Sequence, residues 1–224
     1  MSSKEESSPS RLPPERPGPP GGKRDVNRKQ RTEALRAAGL KLFLERGVDV
    51  VTIDDIAKEA GTAKGNFYRY FTDKNELVES ILEPLATRIL GAMDRCYDQL
   101  ESAHDEGSLF AAYQALALAI APIVLEPDIA LLYLQESRAP AAGARAPIRG
   151  LADDIRQRSI DLTEFAVDHG LLRVPDPRVS ALAVVGAVET LAFAVLTGQL
   201  DARPDTIGGT LITLVLNGIR GPKS

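Results

Sequence analysis

Residues 52–77 read TIDDIAKEAGTAKGNFYRYFTDKNEL, and the spacing of the apolar residues within this stretch decides the fold. Thr52-Ile-Asp-Asp55 has the form of a capping box with Asp in place of Glu. A hydroxyl at its first position accepts an amide hydrogen three residues on, while the carboxylate reaches back to the first amide. Ile53, Ile56, Ala57 and Ala60 then recur at helical spacing, which predicts a short helix ended by Gly61. A second short helix from about Ala63 sets Phe67 and Phe71 on one side. Ala57 is small where two such helices must approach, and Gly61 can take the positive φ that a turn requires. Together they spell a helix-turn-helix.

Outward from this stretch the pattern stays helical. Upstream, Leu35, Ala38, Leu42 and Phe43 share one face of a preceding helix that Gly47 stops. Downstream, Asp73-Lys-Asn-Glu76 repeats the capping pattern and opens a long fourth helix. Its stripe runs Leu77, Ile81, Leu85, Ile89, Met93, Cys96 or Tyr97, and Leu100, with Pro84 inside it to kink or split it. Further helices are expected at roughly 108–124, 128–138, 147–170, 178–200 and 204–219, separated by Pro and Gly. No strand-like alternation persists and no repeat of fixed period occurs. The expected class is therefore all-α, with about nine helices.

Composition fits a globular chain of 224 residues, 44% apolar and 26% charged. Residues 1–22 hold six of the fifteen prolines among Ser, Gly and charge. Such a stretch buries too little apolar surface to offset ordering entropy, and reads as a disordered tail. The net charge of −4 is unevenly spread: residues 23–74 carry 12 basic and 8 acidic side chains, whereas residues 75–224 are acidic on balance. A basic segment on an acidic body suits a nucleic-acid reader joined to something else. The expected domains are a helix-turn-helix domain over 23–75 and a helical regulatory and dimerisation domain over 76–224.

The outward face of the second short helix offers Thr62, Lys64, Asn66, Tyr68 and Arg69, while Phe67 and Phe71 turn inward. Hydroxyl, amide and cationic groups are what base edges and phosphates accept, and the second helix of such a pair enters the major groove. Double-stranded DNA is the partner these residues point to.

In this register the chain resembles the tetracycline-repressor (TetR) family of regulators. The resemblance lies in Thr52, Ile56-Ala57, Ala60-Gly61, Gly65, Tyr68, Phe71, Lys74 and Glu76-Leu77, and in strict form it covers residues 30–80. One departure stands out: Thr62-Ala63 occupies the place where the family commonly has Val-Ser, leaving Thr62 to cap the recognition helix one residue earlier.

The resemblance implies a DNA-binding regulator, usually a repressor, with roles for particular residues. Thr52 touches a phosphate and Lys64 and Asn66 face bases. Gly65 lets the backbone approach, and Tyr68 holds a phosphate or packs on a thymine methyl. Arg69 and Tyr70 bond the backbone, Lys74 pins the neighbouring phosphate, and Arg24, Arg28 and Lys29 reach the DNA from an N-terminal arm.

It also implies a C-terminal domain that dimerises and binds a small molecule. The segments 178–200 and 204–219 are apolar on more than one face, through residues such as Leu182, Val185, Phe193, Leu211, Leu214 and Val215. They suit a four-helix interface with a second copy. An effector site between the middle helices is expected among Met93, Tyr97, Phe110, Tyr113, Leu116, Tyr133, Phe165, His169 and Phe193. A ligand behind the fourth helix would swing it, with Pro84 as part of the hinge.

Other classes fit less well. No Gly-rich phosphate loop, zinc motif or nucleophile elbow appears, so neither catalytic residues nor a cofactor is expected. His104, His169 and Cys96 lack the spacing of a metal site. The apolar run Ala181–Leu200 has the length of a membrane span but carries Glu189 at its centre, which argues for a core or interface helix instead. A single cysteine and no apolar leader point to the cytoplasm. The rival readings are a helical dimeric interaction protein without ligand control, and an activator of the same fold.

Overall fold

The computed structural model describes residues 22–217, and all of its regular structure is helical. The tail expected over residues 1–22 lies outside the described residues except for Gly22, as do the side chains of Leu214 and Val215. Among the described residues nine α-helices follow one another: α1 Lys23–Arg46, α2 Ile53–Glu59, α3 Lys64–Phe67, α4 Lys74–Glu101, α5 Glu106–Ile120, α6 Pro127–Glu136, α7 Ala146–Asp168, α8 Pro177–Leu196 and α9 Pro204–Asn217. Short 3-10 turns at Ala121–Leu125 and Gly143–Arg145 precede α6 and α7. The chain divides into two compact units within α4, after Ile81.

The first unit closes around Leu35, Leu42 and Phe43 of α1, Ile56 and Ala57 of α2, Phe67, Phe71, and Leu77, Val78 and Ile81 of α4, all buried. Each large side chain buried this way contributes roughly 1.5–3 kcal/mol before ordering entropy is set against it. Val48 and Val51 of the α1–α2 loop complete the core, a contribution that loop residues do not announce in sequence. Gly47 (φ 84°) and Gly61 (φ 64°) take the left-handed backbone their positions require. The basic cluster at Lys23, Arg24, Arg28, Lys29 and Arg31 is no arm: it forms the first turns of α1. Lys29 pairs there with Asp25 at 3.1 Å.

In the second unit the prolines begin helices instead of merely separating them. Pro127, Pro147, Pro177 and Pro204 all fall in the first turn of α6, α7, α8 and α9, where a missing N–H costs nothing. Asp176 caps α8 by accepting from the amides of Arg178 (2.9 Å) and Val179 (3.1 Å). A capping box that sequence reading missed, Asp105 with Ser108, starts α5. Pro84 does not split α4, which continues through it as one helix flanked by buried Leu82 and Leu85. On the α4 stripe Cys96 is the buried member and Tyr97 stands 36% exposed. Burial pushes the Cys96 thiol up to about 11.

α7 and α8 pack along each other, yet α8 keeps only Ala181 fully buried. α8 and the stretch Glu106–Ile123 are both long and apolar enough to cross a membrane by length and composition. In α8, however, Glu189 accepts a hydrogen bond from Tyr133 of α6 at 2.8 Å.

Candidate functional site

The helix-turn-helix is built by local hydrogen bonds. The Thr52 hydroxyl accepts from the Asp55 amide at 3.2 Å, and the Asp55 carboxylate accepts from the Thr52 amide (2.9 Å) and hydroxyl (2.6 Å). This is the capping box read from sequence. Those bonds hold the Asp55 carboxyl below the usual carboxylate range. Gly61 and Thr62 close the turn by donating to Lys58 and Ala57 carbonyls. The Asp73 pattern also caps, with a shift: Asp73 accepts from the Glu76 amide at 2.9 Å, while Glu76 reaches past it to the Thr72 amide.

α3 is a single turn, Lys64–Phe67, anchored by fully buried Phe67. Tyr68, Arg69 and Tyr70 follow as a turn and are half-buried. Lys64 and Gly65 form the exposed edge, with Thr62 and Asn66 half-buried behind them. The cap expected from Thr62 does not form; Ala63 occupies the cap position and no side chain caps it. Instead the Asn66 amide donates to the Thr62 hydroxyl at 2.9 Å. The four-residue spacing satisfies both side chains laterally and leaves the backbone amides at the start of α3 without a side-chain cap. Lys64 reaches back to Asp54 of α2 at 3.0 Å, and that carboxylate raises the Lys64 pKa.

Lys74 lies elsewhere. Its ammonium donates to the carbonyls of Val48 (2.7 Å), Val51 (2.8 Å) and Asp49 (3.3 Å), tying α4 to the α1–α2 loop. The phosphate contact expected of it would have to displace one of these bonds. Arg28 sits half-buried on α1.

The second unit holds a cavity of about 310 Å³. Six helices wall it: α4 through Leu85, Ile89 and Met93, α5 through Tyr113 and Leu116, and α6 to α9 through mostly aliphatic side chains. Of the residues singled out from sequence, Met93, Tyr113, Leu116 and Tyr133 line it. Tyr97, Phe110, Phe165, His169 and Phe193 do not. Tyr97 and Phe165 meet at 5.0 Å between ring centroids, and Phe165 stacks on His169 at 3.9 Å, forming an aromatic cluster outside the wall. Phe110 is exposed on the first turns of α5, and Phe193 falls on the outer stripe of α8. Sequence reading sought aromatics, whereas the wall is built chiefly from Val, Ile, Leu and Ala. Glu189, which it had noticed only as an obstacle to membrane insertion, stands in that wall.

Residues 35–81 match the family model for bacterial regulatory proteins of the tetR family. The helix-turn-helix segment is that of the tetR family. The chain is 45% identical over 58 residues to an uncharacterized HTH-type transcriptional regulator, YvdT, of Bacillus subtilis, covering 26% of this chain and 30% of that protein. It is 28% identical over 119 residues to the HTH-type transcriptional repressor KstR2 of Mycolicibacterium smegmatis, covering 52% and 54%. These alignments span about a third to a half of the curated relatives' lengths. The likeness in three dimensions is broader. The transcriptional regulator FadR of Bacillus subtilis, solved in complex with stearoyl-CoA, superposes with a TM-score of 0.63 over 84% of this chain and 99% of its own. At 15% identity that likeness is one of fold alone. The family match begins at Leu35, so the first turns of α1, with their basic cluster, lie outside it.

Proposed function

We propose that this chain is a sequence-specific transcriptional regulator, a repressor that holds a palindromic operator as a homodimer and leaves it when a small molecule fills the second unit's cavity. The observation that carries this reading is the α2–turn–α3 pair, with Lys64 and Gly65 on its exposed edge, inside the segment that matches the tetR-family model. Thr52, Thr62, Lys64, Gly65, Asn66, Tyr68, Arg69, Tyr70 and Arg28 supply the DNA contacts. Gly65 brings backbone close to base edges, and the cations neutralise phosphates.

The chemistry of release follows from α4. That one helix sends Leu77 and Ile81 into the core of the DNA-binding unit and Leu85, Ile89 and Met93 to the cavity wall. A ligand that displaces the latter three bears on the helix that anchors the former two. A coupling of roughly 1–3 kcal/mol suffices for release. Dimerisation through α8 and α9, and a cytoplasmic location beside the operator, complete the reading.

The experiment is a footprint of the full-length chain on DNA upstream of its own gene, with affinity followed against salt. A protected palindrome and a steep loss of affinity with salt are expected. Replacing Lys64 and Tyr68 together by Ala should remove protection and leave the helical spectrum intact. A chain indifferent to every duplex at low salt would instead be a helical interaction protein.

A further inference from the structure

The cavity's chemistry is lopsided. Among the described residues that line it, Glu189 is the one charged side chain, and no Lys, Arg or His joins them. Two hydroxyls in the wall are turned along α7, Ser159 donating to the Ile155 carbonyl and Thr163 to the Ser159 carbonyl, both at 2.8 Å, while the hydroxyls of Tyr113 and Ser180 add neutral groups to the same wall. Tyr133 donates to Glu189 Oε1 at 2.8 Å. From outside the wall Arg138 stands 3.5 Å from Oε2, its own side chain 65% exposed. A carboxylate accepts at about four lone-pair sites, so acceptor capacity at Glu189 remains beyond these two partners.

From this arrangement we propose that the cavity takes an uncharged, chiefly apolar ligand that donates one hydroxyl hydrogen bond to Glu189, and that it rejects carboxylates and acyl thioesters of phosphorylated carriers. The inference rests on the reading of the second unit as a ligand-responsive body. An anionic head would be brought beside the Glu189 carboxylate among mostly apolar side chains, with no cation among the described wall residues to meet it. A cationic head fares no better, because Arg138 already faces the same carboxylate and a second cation would be buried without a counter-charge of its own. An alcohol presents a donor to the acceptor capacity left at Glu189, while its chain lies against Leu85, Ile89, Val185 and Leu211.

The test is calorimetry on the DNA-free, full-length protein with five probes of equal chain length: decanol, decane, decanoate, decanoyl-CoA and decylamine. Decanol should bind tightest, and decanoate, decanoyl-CoA and decylamine about tenfold weaker or worse. Decane should lose affinity for want of the hydroxyl. Glu189→Gln keeps the shape and removes the charge, so it should bring decanoate to within about threefold of decanol. Tyr133→Phe, a second variant, should keep decanol binding and still reject decanoate. Leu116→Trp fills the cavity and should abolish binding of every probe.

Three results would overturn the proposal: decanoate, decanoyl-CoA or decylamine binding the unmodified protein as tightly as decanol; no probe binding at all; or Glu189→Gln leaving the discrimination unchanged. The readout involves no DNA, so the two readings fail separately. Footprinting that finds no operator sinks the regulator reading and leaves the binding order intact. The wrong binding order beside a clean footprint sinks only the present inference.

Discussion

The ammonium of Lys74 lies 2.7 Å from the carbonyl oxygen of Val48, and the same nitrogen reaches the carbonyl of Val51 at 2.8 Å. Both carbonyls belong to the loop between α1 and α2, in which Val48 and Val51 are themselves fully buried. A charged donor thereby satisfies backbone acceptors in a segment without a ladder of its own. Lys74→Met keeps the aliphatic stem and removes the donor, and should destabilise the fold by about 2 kcal/mol. Urea melts followed by circular dichroism would measure it. If this clamp is the residue's whole role, the variant's operator affinity at low temperature should keep its salt slope. A slope reduced by about one would mark a lost phosphate contact instead.

The Thr52–Asp55 box makes a prediction with a pH signature. Thr52→Ala removes the hydroxyl that accepts from the Asp55 amide and should cost about 1 kcal/mol at neutral pH. The folded-state pKa of Asp55 lies below its ordinary 3.8 because the Thr52 hydroxyl and amide donate to it. Its contribution is therefore fully present above 3.8 and is lost as pH falls through the lower, folded value. Thermal melts of the two proteins should differ most near neutrality and converge in acid. A gap that stayed constant down to the acid limit would mean the carboxylate adds nothing.

How much of this was legible in the sequence depends on the length scale of the force concerned. The capping boxes at Thr52 and Asp73 and the buried stripe of Leu35, Leu42 and Phe43 are local patterns, and local hydrogen bonding and periodicity write them directly into residue order. The Asp105–Ser108 box escaped because it carries Ser where the capping-box pattern has Glu or Gln. Asn66 and Thr62 are one helical turn apart, yet their mutual bond competes with capping, and only geometry decides between the two. Lys74 is separated from the Val48 carbonyl by 26 residues, a contact that tertiary folding alone creates. Cavity residues are harder still. Tyr97 and Met93 occupy the same stripe of α4, and which of them meets empty space depends on helices distant in sequence.

A further prediction concerns the pair Lys64–Asp54, 3.0 Å apart and exposed on both sides. On the proposed function, Lys64 must exchange this carboxylate for DNA, and Asp54 itself repels phosphates. Asp54→Asn should therefore tighten operator binding, and Lys64→Ala should weaken it and lower the salt slope by about one. Fluorescence anisotropy over a salt series reads both. As an exposed pair it should matter little to folding, so neither change should move the melting temperature appreciably. Weaker binding by Asp54→Asn would mean that the carboxylate orients the lysine instead of sequestering it.

The outer face of α8 yields the last expectation. Val179, Leu182, Ala183, Gly186, Thr190 and Phe193 follow at i, i+3, i+4, i+7, i+11 and i+14 and form one stripe. Val179 is 64% and Leu182 44% exposed, and nothing lies within 4 Å of a Cβ placed on Gly186. Helical stripes of this kind, apolar and flat at a glycine, are costly to leave in water and suit close approach by a second helix. If two copies meet there, Leu182→Glu sets like charges facing each other across the twofold axis. Sedimentation equilibrium should then find a dimer for the unmodified chain and a monomer for the variant, with the helical spectrum unchanged. Operator affinity should fall with it, since a single helix-turn-helix binds half a palindrome. A Leu182→Glu protein that remained dimeric would place the interface on another surface.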